Sequence, residues 1–372
     1  MGTGENTGCN IGENTGSSGY RSSTSPTSQR LLQSADLTYV GAFDIPSSPT
    51  ETFLYGGMAL AVSADGASLY AGGHVYDEIL GRISIPDPIS NDDSSLITDL
   101  TYIPGDPYPS PGDAQEICAA LVYNEKLIVT KRDWYDNDGT GETHAVGDLD
   151  ITGFSSFIRL ANLAYAAFGN GYMGHIPSEW QSLLGGPCFT GNSSMSIISK
   201  CSSGPTFYAF DPDDIGVTAP IPSTPLMWFN LTDPILDLDT DAANDWWIRA
   251  DTVNNGMAFP SGTRSVLFIS RHGYGDRTYK TDSRCGAGGG EGAWPYRRQV
   301  TAFDANDLLA VKNGEINPHD VEPYVWWTLP GPEASCADMT AGGCAYDPIT
   351  RRIFITEGYG GSTPEVHVFQ VS

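Results

Sequence analysis

Five times along this chain a run of β-branched and aromatic residues gives way to a loop of charges and rings. The runs are "SLYAGGHVYDE" (68–78), "KLIVTKRDWYD" (126–136), "SIISKCSSG" (196–204), "VLFISRHGYGD" (266–276) and "IFITEGYGG" (353–361). The equivalent positions Gly73, Lys131, Lys200, Arg271 and Glu357 are spaced 58 to 86 residues apart, an irregular but persistent repeat. Each run is too short and too rich in β-formers to be a helix, so the repeating unit is a group of strands.

The strands that follow are also alike. "TFYAFDPDDI" (206–215) and "QVTAFDANDL" (299–308) share A-F-D-x-x-D-[I/L], and "LGRISIPDP" (80–88) and "EVHVFQV" (365–371) take the same place in their units. Turn formers precede the units at Asp65-Gly66, Asn124-Glu125, Ser261-Gly262 and Asp347-Pro348. A repeated antiparallel unit with almost no helical periodicity predicts an all-β fold, a β-propeller with each unit a blade. At least five blades are expected. The gaps at 140–190 and 215–260 leave room for a sixth or seventh, and stacked β-sandwiches are the rival fold. "DLTYVGAFDIP" (36–46) has strand character without a complete unit and is expected to close the ring against the strand ending at Val371. Two short helices are expected, "IPSEWQSLLGG" (176–186) and "NDLLAVKNG" (306–314), stopped by Gly185 and Gly314. Residues 1–34 repeat "GENTG" and read as a flexible Gly/Ser/Thr-rich tail or a docking arm for an assembly, with the propeller over 35–372.

With 372 residues and 40% hydrophobic content the chain can bury a large core. A net charge of −26 disfavours nucleic acid as a partner. No run reaches the roughly 20 apolar residues of a membrane span, and no signal peptide is visible. An extracellular or secreted protein, or one on a virion surface, is expected. Of the seven cysteines, none lies in a C-x-x-C motif. Cys188 with Cys201 and Cys336 with Cys344 are spaced as local disulfides, with Cys9 the odd thiol.

The pattern resembles the β-propeller superfamily over about residues 36–372. The frame "YVGAFDIP" then "YGGMALAVSADG" looks like that of propeller-like proteins from bacteria and their phages. In fold and residue types the chain is also similar to propeller polysaccharide lyases of the ulvan-lyase type, which use His, Tyr and Arg on one face. No lyase motif aligns residue by residue, so the resemblance assigns no catalytic residue.

If the units are blades, loops after equivalent strands converge on one face. They bring His74, Tyr76 and Asp77 together with Lys131, Arg132, Asp133, Trp134 and Tyr135, with Lys200, with Arg271, His272, Tyr274 and Arg277, and with Glu357 and Tyr359. In a chain with only 19 Lys and Arg, cations at equivalent positions suit an anionic ligand, and rings beside them suit sugar faces. An acidic polysaccharide or cell-surface glycan answers both. For β-elimination, Arg271 or Arg132 would neutralise the uronate, His272 or His74 would take the proton, and Tyr274 or Tyr359 would protonate the leaving oxygen. Trp134, Tyr135, Lys131, Lys200, Tyr76 and Arg277 would hold the chain. The alternatives are a glycoside hydrolase using Asp77, Asp133 and Glu357, and a non-catalytic adhesin or virion recognition protein.

"DWYDNDGTGE" sets Asp133, Asp136, Asp138 and Glu142 at intervals that suit calcium. "DLDTDAAND" is a weaker second candidate, zinc has no local spacing to support it, and no nucleotide cofactor is expected. "CSSGP" and "GNSS" lack the strand–turn–helix setting of a serine nucleophile. The Trp pairs at 246/247 and 326/327 read as blade packing rather than ligand platforms.

Overall fold

The computed structural model describes residues 25–45, 53, 56–57, 59–73, 80–87, 89, 102–104, 116–132, 141–163, 166–192, 205–229, 253–273, 278–279, 291–292, 296–329, 341–357 and 364–372. Strand β1 (Leu37–Asp44) comes first in the chain and is used last in the ring. Blade 1 is β2 (Leu60–Val62), β3 (Ser68–Gly72), β4 (Leu80–Ser84) and β5 (Tyr102–Pro104), each antiparallel to the next. Blade 2 is β6 (Glu116–Tyr123), β7 (Lys126–Arg132) and β8 (His144–Asp148). Its outer edge is covered by residues 155–158, where Ser155 N–H donates to Val146 O and Ile158 N–H to His144 O.

Blade 3 is β9 (Tyr172–His175), β10 (Cys188–Gly191), β11 (Phe207–Phe210) and β12 (Ser223–Met227), with helix α1 (Ser178–Leu184) between its first two strands. Blade 4 is β13 (Val253–Ala258), β14 (Ser265–Gly273), β17 (Tyr296–Asp304) and β18 (Pro323–Thr328). A small pair, β15 (Thr278–Tyr279) and β16 (Glu291–Gly292), interrupts it before β17, and helix α2 (Ala305–Lys312) follows β17. Blade 5 is β19 (Ala341–Asp347), β20 (Arg352–Glu357) and β21 (Glu365–Val371), and β1 completes it by pairing antiparallel with β21 from Leu37↔Val371 to Asp44↔Glu365. The protein is therefore a five-bladed β-propeller, closed by the N-terminal strand as its sequence predicts. The gaps that had room for more blades hold strands of blades 2, 3 and 4.

Why the strands read as continuous apolar runs is visible in the packing. Each sheet lies between two others, so both faces need apolar residues and the alternation divides them between two interfaces. In β14, Val266 and Phe268 join the core shared with blade 3, while Leu267 and Ile269 join the core shared with blade 5. In β20, Ile353 and Ile355 face blade 4 and Phe354 faces blade 1. Five such clusters fill the five interfaces among the described residues.

The local signals explain the rest. Asn124 and Glu125 both take positive φ, 45° and 61°, the conformation of a tight two-residue hairpin. The repeated A-F-D-x-x-D motif is a strand end followed by a capped turn: Asp211 accepts from Asp213 N–H and Asp304 from Asn306 N–H. Helix α1 stops at Gly185, at φ 100°, and α2 ends just before Gly314.

Several expectations are corrected. The strand in third place of the repeat is Cys188–Gly191; the expected run at 196–204 lies outside the described residues. The packed part begins before residue 35, because Leu32 is fully buried between blades 4 and 5 and Gln29 bonds both Glu179 and Trp180 of α1. The two disulfides are not present. Cys188 and Cys344 are free thiols buried in blade interfaces, where they fill core space as small apolar groups. Burial raises the pKa of both. Cys9, Cys201 and Cys336 lie outside the described residues. Trp327 is buried against blade 5 and Trp326 packs on the blade 3 side, as blade-packing residues do; residues 246 and 247 are not described.

Candidate functional site

In each blade the first strand lies nearest the axis. The C-terminal ends of all five first strands, at residues 60–64, 120–125, 173–175, 257–259 and 345–349, line one cavity. All five connections from first to second strand therefore leave on one side, called here the turn face. The connections from second to third strand leave on the opposite side, the loop face. There the strand ends at Gly72, Arg132, Gly191, Gly273 and Glu357 open the loops singled out in the sequence.

This topology reveals a charge asymmetry that the linear sequence hides. Lys131, Arg132, Lys200, Arg271, Arg277, Lys280, Arg284, Arg297 and Arg298, nine of the 19 cations, lie in those five connections or on the strand ends that frame them. Six of the nine belong to blade 4.

Three of the described cations are held on rings. Lys131 Nζ lies 4.6 Å from the ring centroid of Phe157, Arg271 Cζ 4.6 Å from that of Tyr296, and Arg297 Cζ 4.0 Å from that of Trp326. Arg271 and His272, adjacent in β14, project to opposite faces of blade 4. Arg271 shares its face with Leu267 and Ile269, toward blade 5; His272 shares its face with Phe268, toward blade 3, and is 2% exposed. The pair cannot act on one sugar ring from the same side of the sheet.

Glu357 is brought together with residues the sequence did not single out. Its carboxylate accepts from Arg298 of β17 and lies 2.7 Å from His367 Nε2. His367 Nδ1 is 3.2 Å from the Tyr39 hydroxyl, and Arg298 is 3.4 Å from His367 Nε2. This chain joins blade 4, blade 5 and the closing strand with His367 only 1% exposed. Burial, then the Glu365 carboxylate, raises the pKa of Tyr39 and keeps its hydroxyl protonated. "EVHVFQV" holds a legible sign of it, an imidazole on the same strand face as Phe369. Arg298 comes from another blade, and no local spacing points to it.

Tyr274, His74, Tyr359, Trp134, Tyr135, Lys200, Tyr76 and Arg277 lie outside the described residues, as do Asp77, Asp133, Asp136 and Asp138. Arg132 ends β7, and only its backbone is described. Glu142 is exposed just before β8. Among the described residues no group of three or more His, Cys, Asp or Glu is arranged to hold a metal, and no helix is long and apolar enough to cross a membrane.

No protein-family model matches the sequence, and no curated protein matches it. Some solved structures are similar to it at low identity. A structural genomics protein of unknown function from Bacteroides thetaiotaomicron is 13% identical with a TM-score of 0.41, covering 84% of this chain and 59% of its own. XC5397 of Xanthomonas campestris, described as a gluconolactonase, is 12% identical with a TM-score of 0.35, covering 83% and 71%. The Cps50 (Swd1) β-propeller domain of Myceliophteria thermophila is 8% identical with a TM-score of 0.34, covering 85% and 84%. The chain thus spans 59% of the length of the first of these.

Proposed function

We propose that this protein is an extracellular propeller that recognises an acidic polysaccharide on its loop face. The observation that carries the reading is that Lys131, Arg132, Arg271, Arg297 and Arg298 sit at strand ends on one face, with Lys200, Arg277, Lys280 and Arg284 in the same connections by chain order, in a chain of net charge −26. The half-buried ring of Tyr296 beside Arg271 supplies a surface of the kind that sugar faces stack on. Recognition fits better than cleavage, because Arg271 and His272 leave opposite faces of blade 4 and Glu357 is occupied by Arg298 and His367. The same reading keeps Asp133, Asp136, Asp138 and Glu142, which follow β7 in the chain, as the residues that would hold calcium.

The test is binding of polyuronate and neutral polysaccharide panels by calorimetry, with ultraviolet absorbance of unsaturated uronates followed in parallel. Polyuronates are expected to bind and neutral glycans not. Arg271→Ala and Lys131→Ala are each expected to weaken binding about tenfold, roughly 1.4 kcal/mol, and a chelator to weaken it further. Equal binding of neutral chains would overturn the reading. Rising absorbance would replace recognition with β-elimination.

A further inference from the structure

The face opposite the loops holds a cavity that the reading above does not use. It lies on the propeller axis, has a volume of about 340 Å³, and is walled by the ends of all five innermost strands. Its size falls at the lower end of small-molecule sites. The cavity opens to solvent, since Ile349 on its wall is 68% exposed and Glu125 and His175 are exposed beside it.

Its chemistry is one-sided. Apolar groups make up most of the wall, and among the described residues the lining includes two carboxylates, Glu125 and Asp347, and no Lys or Arg. Asp347 is tied down: it accepts from Ile349 N–H at 2.9 Å and from Thr350. Glu125, at the tip of its hairpin, faces solvent. Behind the rim Asp213 accepts from Asn124 at 2.8 Å and adds a third negative charge. Tyr123 and His175 bring rings to the same wall, 6.2 Å apart by centroid.

Neither ring offsets the negative charge. The His175 imidazole has Tyr123 on one side and Cys188 Sγ 3.8 Å from Nδ1, and desolvation by these neighbours lowers its pKa. Burial first, then Asp211, pushes Tyr123 up to about 12 and keeps its phenol un-ionised.

We infer that this axial cavity is a second binding site, and that it takes a compact organic cation with its apolar part between the strand ends and its charge at the Glu125 rim. An apolar wall excludes strongly hydrated metal ions, the carboxylates exclude anions, and ring faces stabilise a weakly hydrated ammonium. The site is independent of the loop face and stands or falls separately from glycan recognition.

The test uses the full chain and three probes: benzyltrimethylammonium, its uncharged carbon isostere, and benzoate, each by calorimetry and thermal shift. The cation is expected to bind with one-to-one stoichiometry, the isostere at least tenfold more weakly, and benzoate not at all. Glu125→Gln is expected to weaken the cation about fivefold. Ile349→Arg, which sets a positive charge at the mouth, is expected to abolish binding, and both positions are exposed enough to leave folding intact. Arg271→Ala is expected to change nothing. Equal affinity for the cation and its isostere, cation binding untouched by both rim variants, or no saturable cation binding would each overturn the assignment.

Discussion

His144 and His367 are both buried, and their surroundings give them different chemistry. His367 lies among Glu357, Glu365, Arg298 and Tyr39, so charge of both signs is at hand. Among the described residues His144 has only the Thr143 and Thr190 hydroxyls, at 2.8 and 3.1 Å, and the edge of Phe210. With no carboxylate to favour the cation, desolvation lowers its pKa to about 3. The sign of the linkage follows. Below about pH 6.5 the unfolded chain binds a proton on this imidazole, and the folded chain does not until about pH 3. Stability tied to His144 is complete above pH 6.5 and falls as pH drops through that window, by about 1.4 kcal/mol per pH unit. In urea titrations between pH 6.5 and pH 4, His144→Gln is expected to lower the slope of stability against pH by about one proton, whatever it does to stability at pH 7. An unchanged slope would mean that the imidazole takes up its proton in the folded state.

At the scale of strands, what the sequence disclosed depended on whether the cause was local. Period-2 runs, the Asn124-Glu125 hairpin, the stops at Gly185 and Gly314 and the paired A-F-D-x-x-D caps are all set by neighbours in the chain, and all were legible. The second strand of blade 3, Cys188–Gly191, is only four residues long, and the longer apolar run "SIISK" masks it in the sequence. The strand ends that open the candidate loops lie on one face, yet the opposed directions of Arg271 and His272 require the exact strand limits. The contacts between first strands were invisible, since each joins residues from different blades. Gly256 in β13 illustrates this: a Cβ there would overlap the Cβ of Cys344 in β19. Gly256→Ala is expected to cost about 1–3 kcal/mol by overpacking, measured by urea denaturation. Pairing it with Cys344→Gly is expected to recover part of that loss, giving a coupling of about 1 kcal/mol between the two sites. Additive costs would show that the blades move apart freely there.

For the molecule as a whole, the ring is closed by the pairing and packing of the first strand against the last. Four blades are each built from one continuous stretch of chain; blade 5 takes three strands from the C-terminus and its fourth, β1, from the other end of the sequence. Around that seam the segment before β1 adds further ties. Arg30 bonds Asp36 at 2.7 Å and also reaches Ser372, and Leu32 N–H donates to Ser265 Oγ at 2.8 Å. Without β1, β21 becomes an open edge with unpaired backbone groups, and Phe43, Ile45 and Leu37 leave the two cores that flank blade 5. Removing residues 1–24 is therefore expected to leave the melting temperature within a few degrees of the full chain, because no tie just named involves them. Removing residues 1–45 is expected to replace the single cooperative transition with an earlier, broader one and to cause aggregation through β21. A peptide spanning residues 30–45, added in excess, is expected to bind the shortened chain and restore the original transition, as mass action requires of a segment that binds only the folded form. A shortened chain that melts as sharply as the whole would show that the five interfaces hold the ring without its closing strand.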